Sequence, residues 1–526
     1  MKVLISDPLS DVGIKIFQET TGIDVDVNTG LTPEELKSII GQYDGLVIRS
    51  ATKVTADLLE AAHRLKVVGR AGIGLDNVDI PAASQRGIAV MNTPFGNTTT
   101  TAEHAISMLM ALSRNIPQAT ASLKAGKWEK KKLKGRELFN KTLGLIGAGN
   151  IGTIVADRAK GLKMKVVIFD PYINPKVSEK LDVEVVALNE LLSRADYISI
   201  HTPKTEETAN LINKKTISKM KKGAMLINCA RGGIVNEDDL YDALKDGHLA
   251  GAALDVFYTE PPGNIKLMEL SNFICTPHLG ASTDEAQVNV AKDVAEQIID
   301  FLLNGVARNA VNVPYISSEL VSILKPFAML SEKMGLLHAQ LAKGGIEELS
   351  IKYAGKISEY DVKSVTAGAL KGLLTPAMKD AVNFINAPIL AEERGITVLE
   401  SRTATSEDFT SLVMIKVKTV DRENIVSGTV FGKNLPRLLR VNDLFLEMAP
   451  EGHLLLISGE NKPGIVGMLG TILGKHELNI DQMMVSKRSD DSKNTILLAT
   501  SSSVTDTALK ELRHTEGVIS VAPLEL

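Results

Sequence analysis

The sequence predicts an α/β protein of several domains, built on doubly wound parallel sheets and closed by a ferredoxin-like unit. Three observations carry that prediction. Short β-rich runs alternate with helical patterns from Lys2 onward, as parallel strands joined by crossover helices require. A glycine turn, Gly147-x-Gly149-x-x-Gly152, stands between an apolar strand and a helical stretch, more than a quarter of the way along the chain. From residue 452 onward the elements follow the order β-α-β-β-α-β. At 526 residues the chain is too long for one hydrophobic core, so several domains are expected.

Taken in order, strands are expected at Lys2–Ser6, Val25–Asn28, Gly45–Ile48, Val67–Val68 and Ala89–Asn92. Helices lie between them near Leu9–Gln18, Pro33–Ile40, Ala56–Ala62 and Ile80–Arg86. This is a flavodoxin-like doubly wound sheet with no phosphate-binding glycine turn of its own. A helix Thr101–Ser113 and a lysine-rich stretch lead to the glycine turn, whose helix ends near Lys160, and Lys165–Asp170 follows as a strand. Further strands at Tyr197–His201, Met225–Asn228, Ala250–Asp255 and Phe273–Cys275 complete a Rossmann-like domain. A long helical pattern, Asp284–Asn304, can carry the chain back to the first sheet. The first domain is therefore expected in two pieces, residues 1–95 and 283–310, with 96–282 inserted between them. Past Val313-Pro314 the character changes. Residues 315–445 carry helix-like stretches and a β-rich segment, Thr410–Phe431, and are expected as a separate α+β domain. Residues 452–526 give a strand His453–Ser458, a helix from Pro463 to about Glu477, and strands Asn479–Ser486 and Asn494–Ala499. A helix Asp506–His514 and a strand Val518–Leu526 follow, and the whole reads as an appended module.

Composition bounds the function. Hydrophobic residues make up 44 % and charged residues 23 %, the balance of a globular rather than a disordered chain. A net charge of −4 provides no basic field, which argues against nucleic-acid and membrane partners. No apolar run approaches the roughly 18–20 residues that span a bilayer, and the first residues lack the apolar stretch of a signal peptide. The two cysteines, Cys229 and Cys275, exclude a disulfide framework, so a cytoplasmic protein is expected. Cys275 is expected to fill a buried strand end and Cys229 to contribute packing or backbone contacts.

The chemistry begins at the glycine turn. Gly147 permits the tight turn, Gly149 lets a pyrophosphate approach the backbone, and Gly152 lets helix and strand pack closely. Asp170, 18 residues past Gly152, is placed to hydrogen-bond both ribose hydroxyls. A carboxylate there repels a 2′-phosphate, and Pro171-Tyr172-Ile173 offers no arginine, so NAD is expected rather than NADP. Three later segments put polar groups at strand ends: Asn228-Cys-Ala-Arg231, Asp255-Val-Phe-Tyr-Thr-Glu260 and Thr276-Pro-His278. Arg231 suits a substrate carboxylate, and His278 suits the hydroxyl proton of a hydroxy acid under oxidation. Glu260 suits the orientation of the imidazole. Each also has a plain structural reading: a loop cap, a solvated acid before prolines, a structural histidine. Their joint occurrence after a dinucleotide turn favours chemistry, and no metal site is expected.

These segments, Gly147–Gly152 with Asp170, Asn228–Gly233, Asp255–Pro262 and Thr276–Ser282, resemble the D-isomer-specific 2-hydroxyacid dehydrogenases over residues 1 to about 310. The resemblance implies catalytic roles for Arg231, Glu260 and His278. It implies cofactor contacts at Gly147, Gly149, Asn150, Ile151, Gly152, Asp170, Thr202, Cys229, Ala230, Arg231, Asp255, His278 and Gly280. Arg49-Ser-Ala-Thr, Gly69-Arg70-Ala-Gly-Ile-Gly and Asn92-Thr-Pro-Phe-Gly-Asn97 are similar to the family's long members, which carry an intervening domain and then an ACT domain. For those the resemblance implies oxidation of 3-phosphoglycerate to 3-phosphohydroxypyruvate, the entry to serine biosynthesis. Arg49, Arg70 and Asn97 are then substrate residues beside Arg231 and His278, although either arginine can instead form an ion pair across the domain surface. The alternatives are a dehydrogenase of another D-2-hydroxy acid and an NAD-sensing binding protein.

Lys130, Lys131, Lys132 and Lys134 read as a solvated face or as cations reaching a neighbouring subunit, with Trp128 as an interface anchor. A homo-oligomer, a homotetramer, is expected. At the ACT domain the resemblance implies an L-serine effector at Asn461 and Asn479. Gly459 departs from the pattern there, because responsive members carry a larger polar or aromatic residue at that position.

Overall fold

Four sheets organise the chain in a computed structural model that describes residues 1–173, 175–313, 318–342, 344–379, 382–406, 408–420, 422–487 and 493–526. The first consists of β1 (Lys2–Ile5), β2 (Asp24–Val27), β3 (Gly45–Ile48), β4 (Val67–Arg70) and β5 (Ala89–Asn92). All pairs are parallel, in the order β2-β1-β3-β4-β5, which is the flavodoxin order. The central strands read as unbroken apolar runs because both faces are covered. On one face Leu36, Leu58, Leu59 and Ala83 from three helices pack on Leu4, Leu46, Ile48 and Val68. On the other, Phe17 of helix Asp11–Glu19 and Val290, Val294 and Ile298 of helix Asp284–Asn304 pack on Val3, Ile5, Val67 and Met91. The long helix starts at a Thr283 cap and stops at Gly305, whose φ is +69°. It crosses the first helix so closely that a Cβ on Gly13 would lie 2.7 Å from the Ala291 carbonyl oxygen.

The second sheet holds β6 (Thr142–Ile146), β7 (Lys165–Phe169), β8 (Glu184–Val185), β9 (Tyr197–Ile200), β10 (Ala224–Asn228), β11 (Leu249–Leu254) and β12 (Phe273–Cys275). Its order is β12-β11-β10-β9-β6-β7-β8, all parallel, so the chain reverses direction across the sheet between β6 and β9. That reversal is the Rossmann switch point. Most strands fall close to their expected ranges, since continuous apolar runs flanked by turns are easy to read. The helix expected from Thr101 starts at Thr98, and helix Ile116–Lys124 and the two-residue β8 carry no comparable signal. One expectation fails. Cys275 is exposed, because β12 is an outer strand and Cys275 is its last residue.

The third sheet comprises β13 (Ile346–Gly355), β14 (Thr397–Thr403), β15 (Ser411–Thr419), β16 (Glu423–Phe431), β17 (Leu435–Val441) and β18 (Leu444–Met448), in the order β14-β13-β15-β16-β17-β18. Helices Ser318–Leu341 and Lys363–Met378 cover it. The change of character read at Val313-Pro314 has its proline outside the described residues, as are residues 315–317. The fourth sheet has β19 (His453–Glu460), β20 (Ile480–Lys487), β21 (Lys493–Thr500) and β22 (Val518–Glu525), ordered β20-β21-β19-β22 with antiparallel pairs. With helices Ile465–Lys475 and Asp506–Arg513 this is the ferredoxin-like arrangement. Strand alternation divides its side chains. Leu455, Ile457, Ile496 and Leu498 face the unit's own helices, whereas Leu454, Leu497 and Leu524 join the core of the third sheet. The unit shares a core with its neighbour, which the sequence reading of an appended module did not anticipate.

Candidate active site

The glycine turn leaves β6 and enters helix Asn150–Gly161. Gly147 has φ +96°, and a Cβ there would lie 2.6 Å from the His201 carbonyl oxygen. A Cβ on Gly152 would lie 2.2 Å from the Gly147 carbonyl oxygen, so any side chain would separate helix from strand. The Gly149 position meets nothing within 4 Å, and no side chain caps the helix that follows. Its first N–H groups are thus available to an anion. Asp170 follows β7 and is tied to the turn, since Oδ2 accepts from Ala148 N at 2.8 Å and Oδ1 from Tyr172 N at 2.8 Å.

The turn opens on a cleft of about 990 Å³ lined from both parallel sheets. Asn150, Ile151, Thr202, Cys229, Ala230 and Asp255 line it from the second sheet. Thr202 Oγ1 and His201 Nδ1 are buried there without a hydrogen-bond partner among the described residues. Burial lowers His201 to about 4, so its imidazole is neutral, and burial pushes the Cys229 thiol up. Bare glycine turn, uncapped helix, tethered acid and orphaned hydroxyl together fit a dinucleotide.

Asn228, the last residue of β10, shapes the next loop. Its Oδ1 accepts from Ala230 N at 3.0 Å and its Nδ2 donates to the Arg231 carbonyl at 3.0 Å. Arg231 then reaches across the cleft, and its Nε donates to Asp76 Oδ2 at 3.1 Å. Asp76 lies between β4 and β5, so this ion pair joins the two sheets. Glu260 Oε2 lies 2.7 Å from His278 Nδ1, while its Oε1 accepts from Phe257 N at 3.1 Å. His278 has φ +55°, which is uncommon for a residue with a Cβ, and its N–H donates to the Asp255 carbonyl at 2.9 Å. The fully buried Asp255 anchors that loop. Its Oδ1 accepts from Thr276 Oγ1 at 2.6 Å and Leu279 N at 2.7 Å, and its Oδ2 from Gly280 N at 2.8 Å. Burial works to raise the Asp255 pKa, but bonds from His104, Thr276 and Leu279 outweigh it and hold the carboxyl below its usual range.

Arg49 follows β3, and Arg70 closes β4. Arg70 Nε donates to the Arg49 carbonyl at 3.2 Å, Arg49 Nη1 donates to the Pro8 carbonyl at 3.3 Å, and both residues line the cleft. Neither arginine makes an ion pair among the described residues, so the surface-pair alternative finds no partner. Burial first, and then the nearby Arg231, depresses Arg70 to about 10, which leaves it charged at neutral pH. Lys53 lines the same wall. Asn97 is buried at the start of helix Thr98–Ser113, with Oδ1 unpartnered among the described residues.

Other candidates lie elsewhere. Lys130, Lys131, Lys132 and Lys134 do not line the cleft, and Lys132 pairs with Glu129 at 2.9 Å. Trp128 is 81 % exposed. Asn461 follows β19, and Asn479 precedes β20 and donates to Asp481 Oδ1 at 2.8 Å. Gly459 lies inside β19, paired with Asn494 and Val518. Sequence reasoning missed Asp76, Lys53, His104 and Thr276. Asp76 stands two residues past the Gly69–Gly74 segment, but nothing local marks an acid whose partner is 155 positions away.

Residues 106–280 match the D-isomer specific 2-hydroxyacid dehydrogenase NAD binding domain, and residues 323–442 match the D-3-phosphoglycerate dehydrogenase intervening domain. The chain is 41 % identical to the D-3-phosphoglycerate dehydrogenase of Archaeoglobus fulgidus over 100 % of both chains. It is 43 % identical to that of Synechocystis over 98 % of this chain and 93 % of the relative. Among solved structures, the NAD-dependent formate dehydrogenase of Staphylococcus aureus in complex with NAD is 32 % identical, with a TM-score of 0.52. That similarity covers 58 % of this chain and 96 % of the other. The apo D-lactate dehydrogenase of Escherichia coli is 28 % identical, with a TM-score of 0.53 over 59 % of this chain and 100 % of the other. The glycine turn, the cleft between two parallel sheets and the likeness to the two relatives over nearly the whole chain agree: the chain belongs to the D-3-phosphoglycerate dehydrogenases of the D-isomer-specific 2-hydroxyacid dehydrogenase family.

Proposed function

We propose that the chain oxidises 3-phospho-D-glycerate to 3-phosphohydroxypyruvate with NAD, the first step of serine biosynthesis. The observation that carries the reading is the His278–Glu260 pair at 2.7 Å on the wall of a cleft also lined by Arg49, Arg70, Asn97 and Arg231. NAD supplies the hydride acceptor when bound, and Gly147–Gly152, Asp170, Thr202 and Asp255 are the residues that would hold it. Arg231 binds the substrate carboxylate with its remaining guanidinium N–H groups, steadied at Nε by Asp76. His278 takes the hydroxyl proton at Nε2 while Nδ1 faces Glu260, whose carboxylate stabilises the imidazolium that forms. Arg49 and Arg70, joined on the same wall by Lys53, receive the phosphate, and Asn97 donates to the carboxylate or hydroxyl.

Purified chain with NAD and 3-phosphoglycerate should produce NADH, and His278→Ala should abolish that production. Replacing Arg49 and Arg70 by Ala should raise KM for the phosphorylated acid. If that KM is unchanged, the phosphate assignment fails. We also place the enzyme in the cytoplasm, as two unbridged cysteines suit. We propose a homo-oligomer, a tetramer, in which a second copy covers Trp128. Asn461 and Asn479 form an L-serine site between paired C-terminal units, and a serine titration of the rate tests this.

A further inference from the structure

His104 belongs to none of the residue sets that accompany the glycine turn or the His278–Glu260 pair. It sits on helix Thr98–Ser113, which packs against β11 and β12, the strands that lead into the Asp255 and Thr276 segments. Its Nε2 lies 3.0 Å from Thr276 Oγ1 and 3.3 Å from Asp255 Oδ1. The Thr276 hydroxyl already gives its hydrogen to Asp255 Oδ1 at 2.6 Å, and a carboxylate has none to give. Nε2 therefore carries a hydrogen and faces both oxygens with it, which fixes that end of the ring as the donor. Asp255 in turn takes the N–H groups of Leu279 and Gly280 on its carboxylate and that of His278 on its carbonyl. One imidazole thus closes a chain of hydrogen bonds that ends on the loop holding His278 at φ +55°.

We infer that His104 is a positioning residue for the reaction: through Asp255 and Thr276 it fixes the 276–280 loop and hence the imidazole of His278. This rests on the dehydrogenase reading above and adds a residue to it. His104, Cys229 and Asp255 also place one donor atom each within 4.8 Å of one another, close enough to share a cation. The Asp255 oxygens, however, are engaged by Thr276, Leu279, Gly280 and His104, and burial favours the neutral Cys229 thiol. The group is a hydrogen-bonded support.

The test compares full-length wild type, His104→Leu and His104→Gln in steady-state turnover of NAD and 3-phosphoglycerate, with hydrogen exchange across residues 276–282. His104→Leu should lower kcat about tenfold, leave KM for the acid within about twofold, and speed exchange in the loop. His104→Gln restores an N–H donor at nearly the same reach and should recover most of the rate and the protection. Wild-type turnover and exchange in His104→Leu would overturn the proposal. So would a Gln variant that is folded yet as slow as Leu. If the wild type makes no NADH from this acid, the substrate reading has failed instead, and the exchange comparison alone decides the role of His104.

Discussion

Asp76 and Glu260 each hold one end of a side chain whose other end faces the cleft. Glu260 uses both oxygens, one on Phe257 N at 3.1 Å and one on His278 Nδ1 at 2.7 Å. Glu260→Gln keeps the shape and removes the charge that, on the proposed mechanism, balances an imidazolium. Steady-state kinetics should show kcat lower by about a hundredfold, with KM for the acid nearly unchanged. If Arg231 holds the substrate carboxylate as proposed, Asp76 acts on ground-state binding. Asp76→Asn weakens its hold on Arg231 Nε, and loss of one charge-assisted bond predicts a KM about tenfold higher with a smaller change in kcat. Equal losses in kcat and kcat/KM would mean that Asp76 acts only in the transition state. These two residues differ in how legible they are. Glu260 lies 18 positions from His278, in one of three segments that read as chemistry once they occur together after a dinucleotide turn. Asp76 becomes meaningful only when two sheets face each other, a relation that no local pattern encodes.

At the level of elements, buried parallel strands announce themselves because both faces are apolar, and Val67–Val68, the start of β4, and Tyr197–Ile200 need no alternation to be read. Helix Ser318–Leu341 is harder: it carries Pro326, and Leu324, Leu330, Met334 and Leu337 are all buried in the third-sheet core. A histidine on that helix makes an acid-sensitive point. His338 is fully buried, its Nε2 lies 3.0 Å from the Ile415 carbonyl, and burial lowers its pKa to about 4. The unfolded chain binds a proton at this site near 6.5, whereas the folded one does so only near 4. The site's stability is therefore whole above about 6.5 and is lost as pH falls toward 4. Between pH 7 and pH 5 the loss is about 2 kcal/mol. Urea unfolding of His338→Leu should show a smaller drop over that interval than wild type, even though its stability at pH 7 is itself reduced by the lost bond. His201, buried with the same sign of shift, remains in both proteins and cancels in the comparison.

At the scale of the molecule, the candidate cleft occupies the carboxyl ends of the first sheet's strands, while the third-sheet domain grips that sheet near the opposite ends. Gly87, two residues before β5, has φ +68°, and Asn383 Nδ2 donates to its carbonyl at 2.8 Å. Asn386 Nδ2 adds a bond to the Gln85 carbonyl at 3.3 Å, and Ile385 enters the core that holds Val3, Ile5 and Phe17. Neither side of this junction carries a sequence signal, since an isolated glycine before a strand and two asparagines in a loop are ordinary. A Cβ on Gly87 would lie 2.1 Å from Asn383 Nδ2. Gly87→Ala therefore both strains the backbone and displaces the asparagine, at a combined cost of about 1–3 kcal/mol. Asn383→Ala removes the bond without the strain and should cost less. Hydrogen exchange in residues 382–394 should rise in both variants, more so in Gly87→Ala. Turnover should stay within about twofold of wild type, because β5 separates this junction from Asn97 and the cleft. A large fall in kcat with either variant would instead mean that the grip of the third-sheet domain sets the conformation of the substrate wall, and the two ends of β5 would have to be treated as one mechanical unit.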